Sequence, residues 1–441
     1  MTRPTSQATP AHHANRESGG WALRLAGLLA ALCLLAARTP ALQAQGAFAL
    51  HDGDRVVFYG DSITDQRLYT TFVETYVVTR FPTMKVSFVH SGWGGDRVTG
   101  GGGGPIDLRL KRDIFAYKPT VVTVMLGMND ASYQPFKQSI FDVYAEGYRH
   151  LVQSLRSNLP GVRLTLIVPS PFDDITRPPT FDGGYNQVLI RYGEFVRSLA
   201  QKEGATVADL NTPVVAALKK ANDLDHSLAP HLISDRVHPG PGGQLLMAEA
   251  LLKAWNATPL VSAVEIDAAS GKATRQENTR LDDLKTGETI TWTQTDAALP
   301  MPINLKDPVI ALAVRSSDVE QALNQQTLRV TGLPHQNYKL RIDGKDVAEL
   351  REAQLRDGVN LAELDTPMMR QATTAHHLTL RHNDIHFDRW RAYQVPMAGA
   401  KYPSLPRVLE ALDALEADLI AEREHKARPV AHRFELVQTG K

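Results

Sequence analysis

Four short stretches set residues of chemically useful types beside glycine. They are "GDS" at Gly60–Ser62, "SGWGGD" at Ser91–Asp96, "GMND" at Gly127–Asp130 and "DRVHPG" at Asp235–Gly240. A serine hydroxyl is a weak nucleophile until a base takes its proton, and that base must be held in the right tautomer. Asp235 and His238 lie three residues apart in a loop that Pro239 and Gly240 end, so one local turn can supply both base and orienting carboxylate. A tetrahedral intermediate then needs donors aimed at its oxyanion, and an unobstructed glycine N–H, the amide of Asn129 and the N–H of Ser62 are suited to that task. Each such donor is worth about 3–4 kcal/mol of barrier. Each stretch also has a plainer use. Ser62 can cap a helix, Asp-x-x-His can be a surface turn, and Gly-x-Asn-Asp can exploit the tolerance of Asn for left-handed backbone. The run Gly100–Gly104 can be a flexible loop; no Gly-Lys-Ser/Thr follows it, so it is not a P-loop. No Gly-x-Ser-x-Gly elbow surrounds Ser62. What favours chemistry is that the four stretches follow one another at the ends of successive strand-like runs.

Those runs are "RVVFYG", "KVSFVH", "TVVTVMLG", "RLTLIVPS" and "TVADL", short, apolar throughout and bounded by Gly, Pro or Asp. Continuous apolarity suits parallel strands covered on both faces. Between them "LYTTFVETYVVTRF", "IFDVYAEGYRHLVQSLRSN" and "YNQVLIRYGEFVRSLAQKEG" carry apolar residues at helical spacing, and "PGPGGQLLMAEALLKAW" closes the unit as a helix. The pattern predicts an α/β domain over 48–257 with a doubly wound, parallel, five-stranded sheet. An open sheet of this kind keeps its ligand site at the carboxyl ends of its strands, where Ser62 falls. Residues 258–441 read as a C-terminal elaboration, β-rich over about 286–347 and helical thereafter. "ETITWTQ", "PVIALAV", "TLRVTGL" and "YKLRIDGKDV" are its strand-like segments, and "DG" marks a tight turn. No Pro/Ser-rich linker separates the halves.

The 441 residues are 43% hydrophobic and 22% charged, with 48 Lys+Arg against 48 Asp+Glu, which gives no basic excess for nucleic acid. Residues 1–45 have the layout of a secretory signal peptide: Arg3, Arg16 and Arg24, then the apolar "LAGLLAALCLLAA", then the small-residue stretch "ALQAQGAFA". The expected location is secreted or periplasmic, with a membrane tether only if the segment stays uncleaved. The only cysteine, Cys33, lies inside it. The mature chain therefore has no disulfide, thiol chemistry or cysteine metal site. Asp223, Asp225, His226 and His231 precede the "DRVHPG" loop, but their spacing fits no compact ligand motif, and neither metal nor cofactor is expected. Trp93 can stack on a sugar or fill a pocket wall.

Taken together, "FYGDSIT", "GWGGD", "GMND" and "DRVHPG" resemble the four blocks of the SGNH hydrolases, also called GDSL esterases/lipases, over roughly Leu50 to Trp255. The resemblance implies a flavodoxin-like fold, with Ser62 as nucleophile and His238 and Asp235 as base and orienter. Ser62, Gly95 and Asn129 would form the oxyanion hole. His90 stands where the family often has asparagine, a departure expected to touch loop geometry more than chemistry. Export, neutral charge and the resemblance point to an esterase acting on a small ester or an acetylated polysaccharide through an acyl-enzyme. A lipid-directed or general short-chain esterase is the alternative enzyme. A non-catalytic carbohydrate-binding protein on the same fold is the rival of another class.

Overall fold

Val56 to Tyr59 are fully buried on both faces, which explains why β1 (Arg55–Gly60) needs no polar alternation. The computed structural model describes residues 46–399 and 401–439, so the expected signal segment and Cys33 lie outside the described residues. β1 pairs in parallel with β2 (Ser87–Gly92) on one side and β5 (Val121–Met125) on the other, setting Val57 beside both Val89 and Val122. After β2 a two-residue hairpin, β3 (Gly100–Gly101) and β4 (Gly104–Pro105), folds the glycine run. β6 (Arg163–Val168) and β7 (Thr206–Asp209) complete the order β2-β1-β5-β6-β7, every neighbour parallel. The expected α/β sheet is present. Chain order reverses direction beside β1, so the crevice of an open sheet opens at its carboxyl end, just before Ser62.

Helices Leu68–Arg80, Gln138–Asn158, Tyr185–Glu203 and Pro241–Ala254 occupy the segments whose periodicity suggested them. Their apolar residues join the strands in one core that runs from Leu50 to Leu323.

Beyond this unit, strands begin at Leu260, well before position 286, and one more strand follows the C-terminal helices. β8 (Leu260–Asp267), β9 (Lys272–Glu277), β12 (Gln325–Thr331) and β15 (Val359–Asn360) form a sheet ordered β15-β12-β8-β9. β10 (Thr279–Lys285), β11 (Thr289–Asp296), β13 (Asn337–Ile342), β14 (Lys345–Arg351) and β16 (His432–Gln438) form an antiparallel one ordered β10-β11-β16-β13-β14. Val264, Leu328, Trp292, Leu340 and Phe434 from both sheets share a second core. The Asp343–Gly344 turn between β13 and β14 has positive φ at both residues, as a two-residue hairpin loop requires. "PVIALAV" is not a strand but the helix Pro308–Ser316: Asp307 caps it by accepting from the N–H groups of Val309 and Ile310, and Pro308 opens its first turn. Helices Pro367–Phe387 and Leu405–Lys426 pack on each other, and the first also packs on Leu68–Arg80. From Phe48 to the C-terminus the chain is a single compact unit.

Candidate active site

Gly60 ends β1 and the next turn, Ser62–Asp65, is helical, because the Asp61 carboxylate caps it by accepting from the Ile63 N–H at 3.0 Å. Capping therefore belongs to Asp61 and leaves the Ser62 hydroxyl for other work. That hydroxyl lies 2.8 Å from Nε2 of His238, whose Nδ1 lies 2.7 Å from Oδ2 of Asp235. The other oxygen of Asp235 accepts from the N–H groups of Val237 and His238 at 3.0 and 2.7 Å, so the loop winds around its own carboxylate. Burial works against ionisation of Asp235, but the N–H and ring of His238 outweigh it and hold the carboxyl below its ordinary range. An ionised Asp235 fixes the tautomer with Nδ1 protonated, which turns the lone pair of Nε2 toward Ser62. Gln244, one turn into the helix after this loop, accepts from the Tyr69 N–H at 3.0 Å and donates to Gln66 at 2.7 Å. These bonds tie the helix behind His238 to the segment behind Ser62.

Asn129, on the turn after β5, donates an N–H of its amide to the carbonyl of Asp96 at 3.0 Å, one of the two donors that an amide nitrogen carries. Its amide oxygen accepts from the Tyr133 hydroxyl at 3.0 Å, which fixes the amide's orientation. Tyr133 follows Ser132 in left-handed backbone, φ 53° and 61°, an uncommon pair for residues with side chains. Its ring stacks on Tyr185 with centroids 5.0 Å apart. Burial, reinforced by the charges of Asp61 and Asp235, pushes its phenol up to about 12, so it stays a donor. Gly95 has φ +76° and open space where a Cβ would stand, as a loop presenting its backbone to a ligand would have. The neighbouring Gly94 N–H is taken by Asp65 at 3.1 Å.

Ser62, His238, Asp235, Gly95 and Asn129 thus come from the ends of β1, β2 and β5 and the loop before the last helix of the α/β unit, and the first three form a continuous hydrogen-bonded relay. Two residues escaped the sequence: Tyr133, whose backbone strain no motif announces, and Arg391, which arrives from the C-terminal part. Trp93 is not an open platform. The Arg391 guanidinium carbon lies 3.5 Å from its ring centroid and Trp390 meets its edge at 5.4 Å. The glycine run is a hairpin packed on Trp93, where a Cβ on Gly103 would come within 2.7 Å of the indole. His90 does not shape the loop; it bonds Thr70 at 2.7 Å and Glu74 at 3.2 Å beneath β2. The residues before the loop are engaged locally: Asp225 binds Ser227 and Leu228, and His226 binds Asn222 at 2.9 Å.

A parallel α/β sheet with a serine–histidine–aspartate relay at its switch point defines a class of hydrolytic enzymes. Residues 58–246 match the GDSL-like lipase/acylhydrolase family, so this segment of the chain is a GDSL-like ester-hydrolase domain. An acetylxylan esterase of Geobacillus stearothermophilus is 25% identical over 223 residues, covering 46% of this chain and 93% of that protein. A solved gut microbial diltiazem-metabolizing enzyme is 26% identical with a TM-score of 0.78, covering 89% of this chain and all of that one. This second likeness extends past the family segment into the C-terminal sheets.

Proposed function

We propose that the protein is an exported serine esterase that removes short acyl groups, acetyl above all, from carbohydrate. The observation that carries the mechanism is the relay Ser62–His238–Asp235, with contacts of 2.8 and 2.7 Å. In this reading Nε2 of His238 takes the Ser62 proton as Oγ attacks the ester carbonyl, while Asp235 stabilises the imidazolium. The N–H groups of Ser62 and Gly95 and the side-chain amide of Asn129 hold the oxyanion. His238 returns its proton to the departing alcohol, leaving an acyl-serine. A water activated by the same histidine then releases the acid and frees Ser62. No metal or cofactor takes part in these steps.

Likeness to the acetylxylan esterase supports the acetyl and carbohydrate parts of the proposal, and residues 1–45 support export. A small-molecule ester is the competing substrate class, favoured by the fold likeness to an enzyme that metabolises a drug. Initial rates on acetylated xylan, on p-nitrophenyl acetate and on a long-chain ester separate these readings. Release of acetate from xylan with kcat/KM above that for the aryl ester supports the carbohydrate reading, and activity confined to small esters overturns it. Ser62→Ala should abolish turnover in a protein with an unchanged melting curve. Near-normal turnover in that variant would remove the mechanism.

A further inference from the structure

We infer that Arg391, supplied by the C-terminal part of the chain, is a positioning residue for the oxyanion loop. The inference rests on the reading of Ser62 and Gly95 proposed above. Helix Pro367–Phe387 continues into a π-helical turn, Asp388–Gln394, a rare geometry concentrated at functional sites. Two consecutive side chains of that turn reach the site. Trp390 donates its indole N–H to Asp113 at 2.7 Å and meets the edge of Trp93, while Arg391 covers the Trp93 ring. Nη1 of Arg391 is 3.3 and 3.5 Å from the two oxygens of Asp65 and 3.4 Å from the Gly92 carbonyl.

Asp65 is the link to the chemistry. Its Oδ2 holds the Gly94 N–H at 3.1 Å, and a Cβ on Gly94 would lie 4.0 Å from the Cβ of Ser62. Arg391 therefore grips the loop at three successive residues: Gly92 by its carbonyl, Trp93 by its ring, and Gly94 through Asp65. The next N–H along is that of Gly95. Arg391 and Asp65 are only 20% and 19% exposed, so solvent screens their attraction less than it would at the surface. A glycine-rich loop has little stiffness of its own. A donor displaced by about 1 Å from its working position can cost as much as 100-fold in rate. The alternative is that Arg391 serves only to dock the helix, in which case its loss would lower stability and leave kcat alone.

The test uses the full chain, with Arg391→Ala, Asp65→Ala and the double variant, and an organophosphonate that forms a covalent adduct on activated serines. Arg391→Ala should lower kcat about tenfold or more with KM within about twofold. Its rate of inactivation by the organophosphonate should fall by the same factor, because that reaction also develops an oxyanion. The double variant should cost less than the product of the two single losses, since Arg391 reaches Gly94 only through Asp65 while its holds on Gly92 and Trp93 are its own. Additive losses, or wild-type kcat and inactivation rate in a folded Arg391→Ala protein, overturn the inference. If the alanine variant melts below the assay temperature, Arg391→Lys carries the test. It keeps the charge opposite Asp65 but loses the planar cover on Trp93, and a several-fold loss of kcat is expected, an unchanged one overturning the proposal. Failure of the wild type to react with the organophosphonate would instead remove the underlying esterase reading.

Discussion

At the residue scale, Asn129 combines two demands that a motif cannot separate: it turns the chain and it presents an amide. Binding of its oxygen by Tyr133 argues for the second, because a turn residue needs no partner to orient its amide. Asn129→Ala should reduce kcat about 100-fold or more, as expected for an oxyanion donor. Tyr133→Phe should reduce it about fivefold, the worth of one hydrogen bond of about 1 kcal/mol, with KM unchanged in both. Equal kcat in wild type and Tyr133→Phe would leave the phenol as packing only. Asp130, next in the chain, makes a separate prediction about stability. Burial pushes its carboxyl up to about 7, although the Val98 N–H at 2.9 Å favours the ionised form. The folded state thus keeps a proton that the unfolded chain releases near pH ~3.9, so this group's stabilising contribution is complete below that value and falls away as pH rises to about 7. Asp130→Asn fixes the neutral form, so its melting temperature relative to wild type should climb between about pH 5 and about pH 8. A gap that stays level or narrows would contradict the protonated assignment.

The elements are joined by a buried polar cluster that sequence could not anticipate. Glu74, on helix Leu68–Arg80, takes His90 from β2 at 3.2 Å, His382 at 2.8 Å and Asn383 at 3.2 Å from helix Pro367–Phe387, and Arg423 from helix Leu405–Lys426. Burial alone would neutralise this carboxyl, but the charges of His382 and Arg423 hold it well below its ordinary range. Removing one partner strands a buried charge. Arg423→Ala should therefore cost about 3–5 kcal/mol in denaturant unfolding, and a loss below about 1 kcal/mol, typical of exposed pairs, would show that the cluster does not join the elements. The sequence exposed the parallel strands because each is apolar on both faces, and it exposed the relay because Ser62, Asp235 and His238 sit in compact local motifs. It hid whatever depends on distant partners. β16 is short and follows a long helix, and its alternating burial makes sense only between β11 and β13, where Phe434 stacks on Trp292 at 5.1 Å. Pro308–Ser316 reads equally well as strand or helix until its cap is seen, since a short apolar run has no decisive period. Arg391 is 326 residues from Asp65, and no spacing rule reaches that far.

At the scale of the whole molecule, the C-terminal part is woven into the α/β unit. Every residue of helix Leu68–Arg80 from Tyr69 onward is buried, a pattern that requires cover on all sides. Arg80 at its end donates to the carbonyls of Thr258, Leu260 and Leu323 at 2.9, 2.8 and 2.8 Å, all beyond the end of the hydrolase segment. The Tyr76 hydroxyl donates to Thr258 at 2.6 Å. Cutting the chain after residue 257 would leave Arg80 without those acceptors, Tyr76 without its bond and Glu74 without Arg423 and His382. Each uncompensated buried polar group costs about 1–3 kcal/mol and a charged one more. Together with the apolar face of helix Leu68–Arg80 that the cut uncovers, these losses are comparable to the whole stability of an ordinary domain, about 5–15 kcal/mol. The fragment 48–257 should therefore fail to fold cooperatively, although it carries Ser62, Asp235 and His238 in full. Circular dichroism melts and limited proteolysis of that fragment beside the full chain provide the measurement. A sharp melt with esterase turnover comparable to the full chain would mean that the α/β unit stands alone. It would also mean that Arg391 is dispensable, because the fragment lacks it. Absence of a cooperative transition, with the full chain folded under the same conditions, is the outcome the buried contacts require.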